Sequence, residues 1–431
     1  MDKKWKRVLA AGFTATSCAL ALTACSNKSN STAKQSINWM EKTEIEGMDP
    51  SKVTDATSFN QLNNTFEGFY RLGKNSKIEP GIATKTTESK DGRTWVFDLR
   101  KNAKWSNGDP VQAKDFVYSW QRTVDPKTGS QYSYLFSGIK NADDIVAGKK
   151  PVKSLGIEAQ GKYKVKVTLD KRIPYFKLLM GFPLFAPQNE KVAKQYGKNY
   201  GTASKYQVYN GPFVQKGWTG SNLTWKLKKN PNYWDKKAVK LDTIAYSVQK
   251  TPSTDYNLYQ SGKLDAALLS PQGSKQLKNQ KGYTLRQSSS TIYLELNQGK
   301  NNGLKNTDLR RAISMAIDRK GLADAVGGAN KPATTLSAEG MTQVDGKDYT
   351  DLVKNDDTKK ELTYNPKQAK ALFKKALKEL GKSNLTYTIL AYDDDASKKG
   401  AEFIQSSLED NLKGLNIKVS SIPKKAALNR A

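Results

Sequence analysis

The chain has 431 residues, with 71 Lys and Arg against 41 Asp and Glu, no His, two Cys and a formal net charge of +30. The lack of His excludes Ser-His-Asp and Cys-His catalysis, His-ligated metals and a His pH switch. Because the basic residues are mostly Lys spread along the whole chain, without helix-turn-helix, zinc-finger or RNP-type patterns, the charge predicts a solvated surface and no nucleic-acid partner.

The N-terminus has the pattern of an export signal. A basic lead that includes Lys3 and Arg7 precedes a short apolar run over residues 8–23. The run is shorter than the roughly 20 residues that a spanning helix needs, and Thr and Ser dilute it. The sequence therefore predicts that residues 1–24 are a signal peptide and that the protein is exported.

A single cysteine follows this signal. Leu22-Thr23-Ala24-Cys25 resembles the lipobox of bacterial lipoproteins, in which the Cys thiol receives a diacylglycerol and becomes the first residue of the mature protein. The polar stretch after it completes a predicted flexible tether over residues 25–36. The resemblance implies lipidation at Cys25 and a protein held on the extracytoplasmic face of the cell membrane. The alternative is an ordinary signal with a Cys near its cleavage site.

Short alternating strands and amphipathic helices follow the tether. Strands are predicted at residues 94–99, 164–169, 223–228, 283–286, 291–296, 386–390 and 417–421. The clearest helix begins after the predicted N-cap Asn365, with Pro366 as its first residue, and ends at Leu380, with Gly381 just past the end. A second helix starts near Thr307. With this length, the pattern predicts a mixed α/β protein of two or three domains.

One stretch combines strand, turn and helix signals. Trp95, Phe97 and Leu99 alternate as one face of a strand that is predicted to be buried. Asn107-Gly108 predicts a tight turn with positive φ available at both positions. The helix after this turn is predicted to point inward the side chains of Phe116, Val117 and Trp120.

Several local patterns together resemble a known family. They are Gly47-Met48-Asp49-Pro50, Phe66-Glu67-Gly68-Phe69-Tyr70, residues 91–116, Asn210-Gly211-Pro212-Phe213, Asn230-Pro231-Asn232-Tyr233-Trp234, Ser261-Gly262-Lys263-Leu264-Asp265 and residues 308–319. In this order they resemble the extracytoplasmic oligopeptide-binding proteins of ABC importers, solute-binding protein family 5. Each pattern alone is weak, and their common order makes the match specific.

The resemblance implies an α/β, periplasmic-binding-protein-like fold (type II, cluster C), bilobal with an extra inserted domain. Lobe I would comprise residues 37–66 and 188–290, the inserted domain II residues 67–187, and lobe III residues 291–431. Family members continue for a substantial segment beyond this point. Lobe III is therefore predicted to be incomplete, without the acidic residue expected to pair with the peptide's α-amino group.

The resemblance also implies a monomeric hinged receptor that encloses an oligopeptide between its lobes and delivers it to an ABC permease with separate ATPase subunits. No catalysis, cofactor or metal is expected. Carried over by position, the peptide-binding residues would be Thr54, Asp55 and Ala56, through backbone groups, with Tyr132, Ser270 and Tyr293 lining the cleft. The alternative for Tyr132 and Tyr293 is a partly buried aromatic without a ligand role, and for Ser270 a turn residue before Pro271.

Other functions remain as alternatives. A basic, lipid-anchored protein could be a surface adhesin held by charge, and a receptor with an incomplete lobe could be an inactive remnant. A paired-carboxylate hydrolase is the best enzymatic rival, but no carboxylate spacing favours it. Asp393-Asp394-Asp395 lacks the Gly and terminal Glu of a calcium loop and is predicted to cap the helix that follows.

Overall fold

The structure, a computed structural model, describes residues 35–73, 77–286, 288–299, 303–428 and 430, and of residues 356–358 only the backbone. The predicted signal peptide, Cys25 and all but the end of the predicted tether lie outside these residues. Among the described helices, none combines the length and the apolar character needed to cross a membrane.

Strands and helices alternate along the chain. The strands are β1 (Ser36–Glu41), β2 (Tyr70–Leu72), β3 (Ile78–Pro80), β4 (Ala83–Glu88), β5 (Thr94–Leu99), β6 (Ile157–Ala159), β7 (Lys164–Thr168), β8 (Phe213–Lys216), β9 (Thr224–Lys229), β10 (Thr243–Val248), β11 (Gln343–Val344), β12 (Lys347–Asp348), β13 (Leu385–Tyr392) and β14 (Leu415–Ile422). The helices are α1 (Ala56–Thr65), α2 (Ala113–Val124), α3 (Ala142–Val146), α4 (Phe176–Leu179), α5 (Glu190–Tyr196), α6 (Pro252–Gln260), α7 (Pro271–Leu277), α8 (Thr307–Met315), α9 (Arg319–Val326), α10 (Tyr349–Leu352), α11 (Asp356–Leu362), α12 (Pro366–Leu380), α13 (Asp395–Asn411) and α14 (Lys424–Leu428). The expectation of a mixed α/β protein is confirmed.

Two four-stranded sheets organise residues 36–248 of the chain. One has the order β1-β10-β9-β8, with β1 parallel to β10 and Ile37 opposite Ile244. The other has the order β4-β5-β7-β6 and is antiparallel, with Phe97 opposite Val165. Later in the chain, β13 and β14 form a parallel pair in which Ile389 lies opposite Val419. The pairs β2-β3 and β11-β12 are short antiparallel ribbons.

The first hydrophobic core connects the two four-stranded sheets. Its buried residues all fall between Ile45 and Val248. The predicted alternation in β5 is confirmed, since Trp95, Phe97 and Leu99 are 7%, 0% and 4% exposed. The two sheets therefore share one continuous apolar interior.

The second core is built by helices on the parallel pair β13-β14. Its buried residues fall between Leu304 and Ile417. The predicted ends of α12 are confirmed. The Asn365 side chain accepts the Gln368 N–H, and Gly381 ends the helix with φ of 61°. Separate sequence ranges thus supply the two cores.

Two predicted strands, residues 283–286 and 291–296, are wrong. Neither segment pairs with a strand in the part of the chain that the structure describes. Leu294 and Leu296 pack against the second core, whereas Ile292 and Tyr293 are 83% and 64% exposed. Alternation alone did not lead to a strand here, because a strand also needs a neighbouring backbone to complete its hydrogen bonds.

The predicted turn at Asn107-Gly108 needs a correction at one position. Gly108 has φ of 94°, but Asn107 does not adopt a positive φ. Instead, the Asn107 Oδ1 accepts the Asp109 N–H at 3.2 Å, and its Nδ2 donates to the Asp109 carboxylate at 2.8 Å. The side chain of Asn107 closes the turn locally, so a single glycine supplies the left-handed residue.

Asp115 should make stability depend on pH. It is 3% exposed, and its Oδ2 accepts the Gln112 N–H at 2.9 Å and the Trp105 Nε1–H at 3.1 Å. Burial raises the pKa of Asp115 to about 6 although both hydrogen bonds lower it. Because the folded state holds this proton more tightly than the unfolded state, the fold is most stable below about pH 4, where Asp115 is protonated in both states. This contribution to stability is lost as the pH rises through 6.

Asp115→Asn keeps a side-chain oxygen for both donors and does not titrate. Relative to the wild type, the variant should therefore gain about 1–1.5 kcal/mol of unfolding free energy between pH 5 and pH 8. Urea unfolding of both proteins at the two pH values measures this gain. Asp144→Asn, at a 44% exposed side chain, is the matched control and should show a much smaller change. An equal difference from wild type at both pH values would contradict the assignment.

Candidate functional site

Three of the predicted site residues lie together where α1 begins. Asp55 is the N-cap, and its Oδ1 accepts the Ser58 N–H at 3.0 Å. Ala56 is the exposed first residue of the helix. The backbone N–H and the hydroxyl of Thr54 donate to Glu46 Oε2 at 3.4 and 3.5 Å. The turn into α1 therefore fixes a polar segment whose shape depends on both Asp55 and Glu46.

Tyr132 reaches this segment from a distant part of the chain. Its hydroxyl donates to the Thr54 carbonyl at 3.1 Å. The ring of Tyr132 stacks on Phe59 of α1, with centroids 5.9 Å apart and planes 8° apart. Tyr134 meets the same ring edge-on at 6.0 Å. The structure thus joins four predicted site residues: Thr54, Asp55, Ala56 and Tyr132.

A buried charge pair lies beside the segment. The Asp55 side chain is fully buried, and Lys424 Nζ lies 3.4 Å from its Oδ1, with the Lys424 side chain 14% exposed. The ammonium of Lys424 is also 5.8 Å from the centroid of the Tyr392 ring. Among the described residues, no donor reaches Asp55 Oδ2. Among these residues, Asp55 Oδ2 is therefore a buried acceptor without a hydrogen-bond partner.

Neighbouring carboxyl groups share this environment. Burial first, and then the charge of Asp55, raises the pKa of Glu46. Burial raises the pKa of Glu41 to about 7. The negative charge of Asp55 also raises this pKa, and the positive charge of Lys424 lowers it. Burial and the charge of Asp55 likewise raise the pKa of Tyr392. Several acidic groups thus lie around one lysine, and a further positive group would be stabilised there.

Ser270 and Tyr293 lie elsewhere in the fold. The Ser270 hydroxyl oxygen accepts the Gly273 N–H at 3.1 Å and caps α7, in line with the turn alternative. Tyr293 is 64% exposed and is close enough to Tyr392 to contribute to its raised pKa. Ligand roles for both residues stay predictions.

Sequence reasoning missed Glu46, Tyr392 and Lys424. Glu46 directly precedes the Gly47-Met48-Asp49-Pro50 pattern, so its position in that turn was a usable signal. Tyr392 ends β13, two residues past the predicted strand. Lys424 is 369 residues from Asp55 and carries no local signal.

The acidic run after β13 has the predicted structural role. Asp394 is the N-cap of α13 and accepts the N–H and hydroxyl of Ser397 at 3.1 and 2.6 Å. Within the described part of the chain, no group of three or more His, Cys, Asp or Glu side chains is arranged to hold a metal ion. The prediction of a helix cap is confirmed.

Comparison with known proteins identifies the class of protein. The model of the bacterial extracellular solute-binding proteins, family 5, matches residues 77–431. The fold is therefore that of a periplasmic-binding-protein-like receptor, a class that binds substrates and is not a class of enzymes. The chain belongs to family 5 of these extracellular solute-binding proteins.

Curated relatives and solved structures support this assignment. The chain is 38% identical over 426 residues to the dipeptide-binding protein of Lactococcus lactis subsp. cremoris, covering 96% of this chain and 76% of the relative. It is 32% identical to the oligopeptide-binding protein OppA of Bacillus subtilis, covering 98% and 78% of the two chains. Listeria monocytogenes OppA bound to peptide superimposes with a TM-score of 0.88 at 40% identity, covering 93% and 79%. The pheromone receptor PrgZ superimposes with a TM-score of 0.87 at 35% identity, covering 92% and 79%.

Proposed function

We propose that this protein captures oligopeptides outside the cytoplasm and delivers them to an ABC permease that works with separate ATPase subunits. Family membership and the peptide binding for which the relatives are named support peptide capture. We further propose that the protein is a monomer, without cofactor, anchored to the membrane through an acylated Cys25.

The observation that carries the proposal is the polar segment Thr54, Asp55 and Ala56, which Tyr132 holds in place. The first N–H groups of a helix lack intrahelical partners, so the start of α1 offers donors to a peptide carbonyl or carboxylate. The negative charge of Asp55, with Glu46 close to the same segment, attracts a peptide N–H or ammonium to this place. A peptide backbone presents both kinds of group at regular spacing.

The charge around Asp55 favours ligands with a positive group. Lys424 places a primary ammonium 3.4 Å from Asp55, so this carboxylate accommodates such a group inside the protein. Peptides carry an ammonium at their N-terminus or on Lys side chains, whereas a neutral solute would leave the acidic groups uncompensated. The electrostatics thus support a peptide over a sugar.

We also retain the proposed division into domains. The first core would serve lobe I (residues 37–66 and 188–290) and domain II (residues 67–187). The second core would serve lobe III (residues 291–431). The separate ranges of the two cores support a boundary between residues 248 and 304.

Peptide capture is tested on protein purified from the membrane of its own cells. Denaturation followed by mass spectrometry should release bound peptides, and a pool of synthetic tri- to pentapeptides should raise the melting temperature of the emptied protein in both low and high salt. Tyr132→Phe should weaken binding by about fivefold, because the hydrogen bond that holds the Thr54 carbonyl is lost.

The control variant is Tyr175→Phe, a tyrosine that is 61% exposed. It should bind peptides like the wild type. A protein that binds wall polymer in low salt only, and no peptide, would favour the charge-driven adhesin and refute peptide capture.

A further inference from the structure

Lys250 makes polar contacts on both sides of the boundary between the two cores. This residue follows β10, whose residues Ile244, Tyr246 and Val248 belong to the first core. Its ammonium lies 2.9 Å from Glu44 Oε1 and 2.5 Å from Asp393 Oδ2. Glu44 directly precedes Ile45 of the first core, whereas Asp393 follows β13 of the second.

The backbone of Lys250 makes a second contact to the same place. Its carbonyl accepts the Asp395 N–H at 3.1 Å, at the first residue of α13. Lys250, which lies two residues after the end of β10, therefore contacts both the residue after β13 and the first residue of α13. All three charged side chains are partly buried, being 27% (Lys250), 20% (Glu44) and 21% (Asp393) exposed, so solvent screens their interaction only in part.

The charges at this contact do not balance. Two carboxylates share one ammonium, and among the described residues no donor reaches Glu44 Oε2 or Asp393 Oδ1. Both oxygens are buried, so each loses water when the cores meet and gains no hydrogen bond in exchange. The ammonium attracts the two sides, while the excess negative charge and the two unpaired oxygens oppose the contact.

We propose that Lys250, Glu44 and Asp393 form an electrostatic latch that sets how the two cores are held against each other. The attraction between the Lys250 ammonium and the two carboxylates is offset in part by the lost hydration of the carboxylate oxygens. The contact can therefore form and break reversibly. The latch lies in the same interface as the Lys424–Asp55 pair, so its state determines whether Lys424 and Tyr392 face the start of α1. This inference goes beyond peptide capture, and no ligand is needed to test it.

The test measures the distance between the cores. Fluorophores are attached at Lys226→Cys on β9 and Lys374→Cys on α12, both exposed positions, in the full chain with Cys18→Ser and Cys25→Ser. Single-molecule energy transfer then gives the short-distance and long-distance populations without peptide. In Lys250→Met, which keeps the aliphatic stem, the ratio of long-distance to short-distance molecules should rise by about tenfold, because two carboxylates face each other without a cation.

A second variant separates charge from packing. Adding Glu44→Gln to Lys250→Met removes one of the two facing carboxylates and should restore part of the short-distance population. Lys194→Met removes a cation from an exposed pair with Glu190 and is the matched control, which should leave the distances unchanged. Circular dichroism confirms that each variant is folded.

Two results would overturn the proposal. One is a Lys250→Met protein with the same distances as wild type and Lys194→Met. The other is a shift in Lys250→Met that Glu44→Gln fails to reverse, which would assign the effect to packing. Should Lys250→Met fail to fold, Lys250→Gln gives the same decision, because it also removes the ammonium between the two carboxylates and should raise the long-distance population in the same way. A protein that fails to capture peptide would still give these distance measurements, because they are made without peptide.

Discussion

Replacing Arg122 with Met should lower the free energy of unfolding by about 3–5 kcal/mol, because it leaves a buried carboxylate without its cation. Arg122 in α2 donates to both oxygens of Asp49, at 2.7 and 2.6 Å, and to Gln188 Oε1 at 2.9 Å. The two charged side chains are only 17% and 7% exposed. This pair joins the Gly47-Met48-Asp49-Pro50 turn to a helix 73 residues away. Urea denaturation of the purified variant measures the loss.

The control for this prediction is Lys194→Met. Lys194 pairs with Glu190 on α5, and the two side chains are 69% and 42% exposed. Loss of this exposed ion pair should lower the free energy of unfolding by less than about 1 kcal/mol. The double variant Asp49→Leu with Arg122→Met should be less destabilised than the sum of the two single changes, because neither charge is then buried alone. A loss in Arg122→Met as small as that in Lys194→Met would show that the pair contributes little.

Phe69→Ala should lower the free energy of unfolding by about 3–5 kcal/mol, because it leaves a cavity in the core. Phe69 is fully buried, and its ring stacks between Phe97 of β5 and Phe116 of α2, with centroids 4.1 Å away on each side. Trp120 meets the same ring edge-on at 6.0 Å. Removal of the ring therefore eliminates aromatic contacts to both β5 and α2. Thermal and urea unfolding both measure the effect.

Tyr134→Ala provides the comparison, since it removes an aromatic ring that is 62% exposed. We expect a change within about 0.5 kcal/mol at such a position. Comparable losses in Tyr134→Ala and Phe69→Ala would mean that the stacked rings do not form the core of this region.

Local patterns predicted the elements whose stabilisation is local. The cap at Asn365, the end of α12 at Gly381 and the buried face of β5 all follow from neighbouring residues, and all are confirmed. Residues 283–286 and 291–296 have the same alternation as true strands. They do not form strands, because strand formation depends on a partner that the segment itself does not encode.

The candidate site was only partly predictable for a related reason. The resemblance to family 5 led to Thr54, Asp55, Ala56 and Tyr132, which the structure places together. Lys424 and Tyr392 join them through contacts that span most of the chain, and such pairs leave no periodic signal in the sequence. Lys250 and Asp393 are likewise 143 residues apart. Charge composition alone could not indicate which of the many Lys residues are buried.

The separation of the two cores has a consequence for the order in which the chain folds. The parallel pairing of β1 with β10 places Ile37 beside Ile244, so the first sheet cannot be completed until more than half of the chain has been synthesised. Until then, β1 is a strand without its neighbour, and such an edge is prone to pair with other chains. The buried residues of the second core fall between Leu304 and Ile417, with Leu294 and Leu296 packed against them, so this core is supplied by a later part of the chain. A nascent chain is therefore most exposed to aggregation before β10 emerges, and a holding chaperone would matter most during that interval.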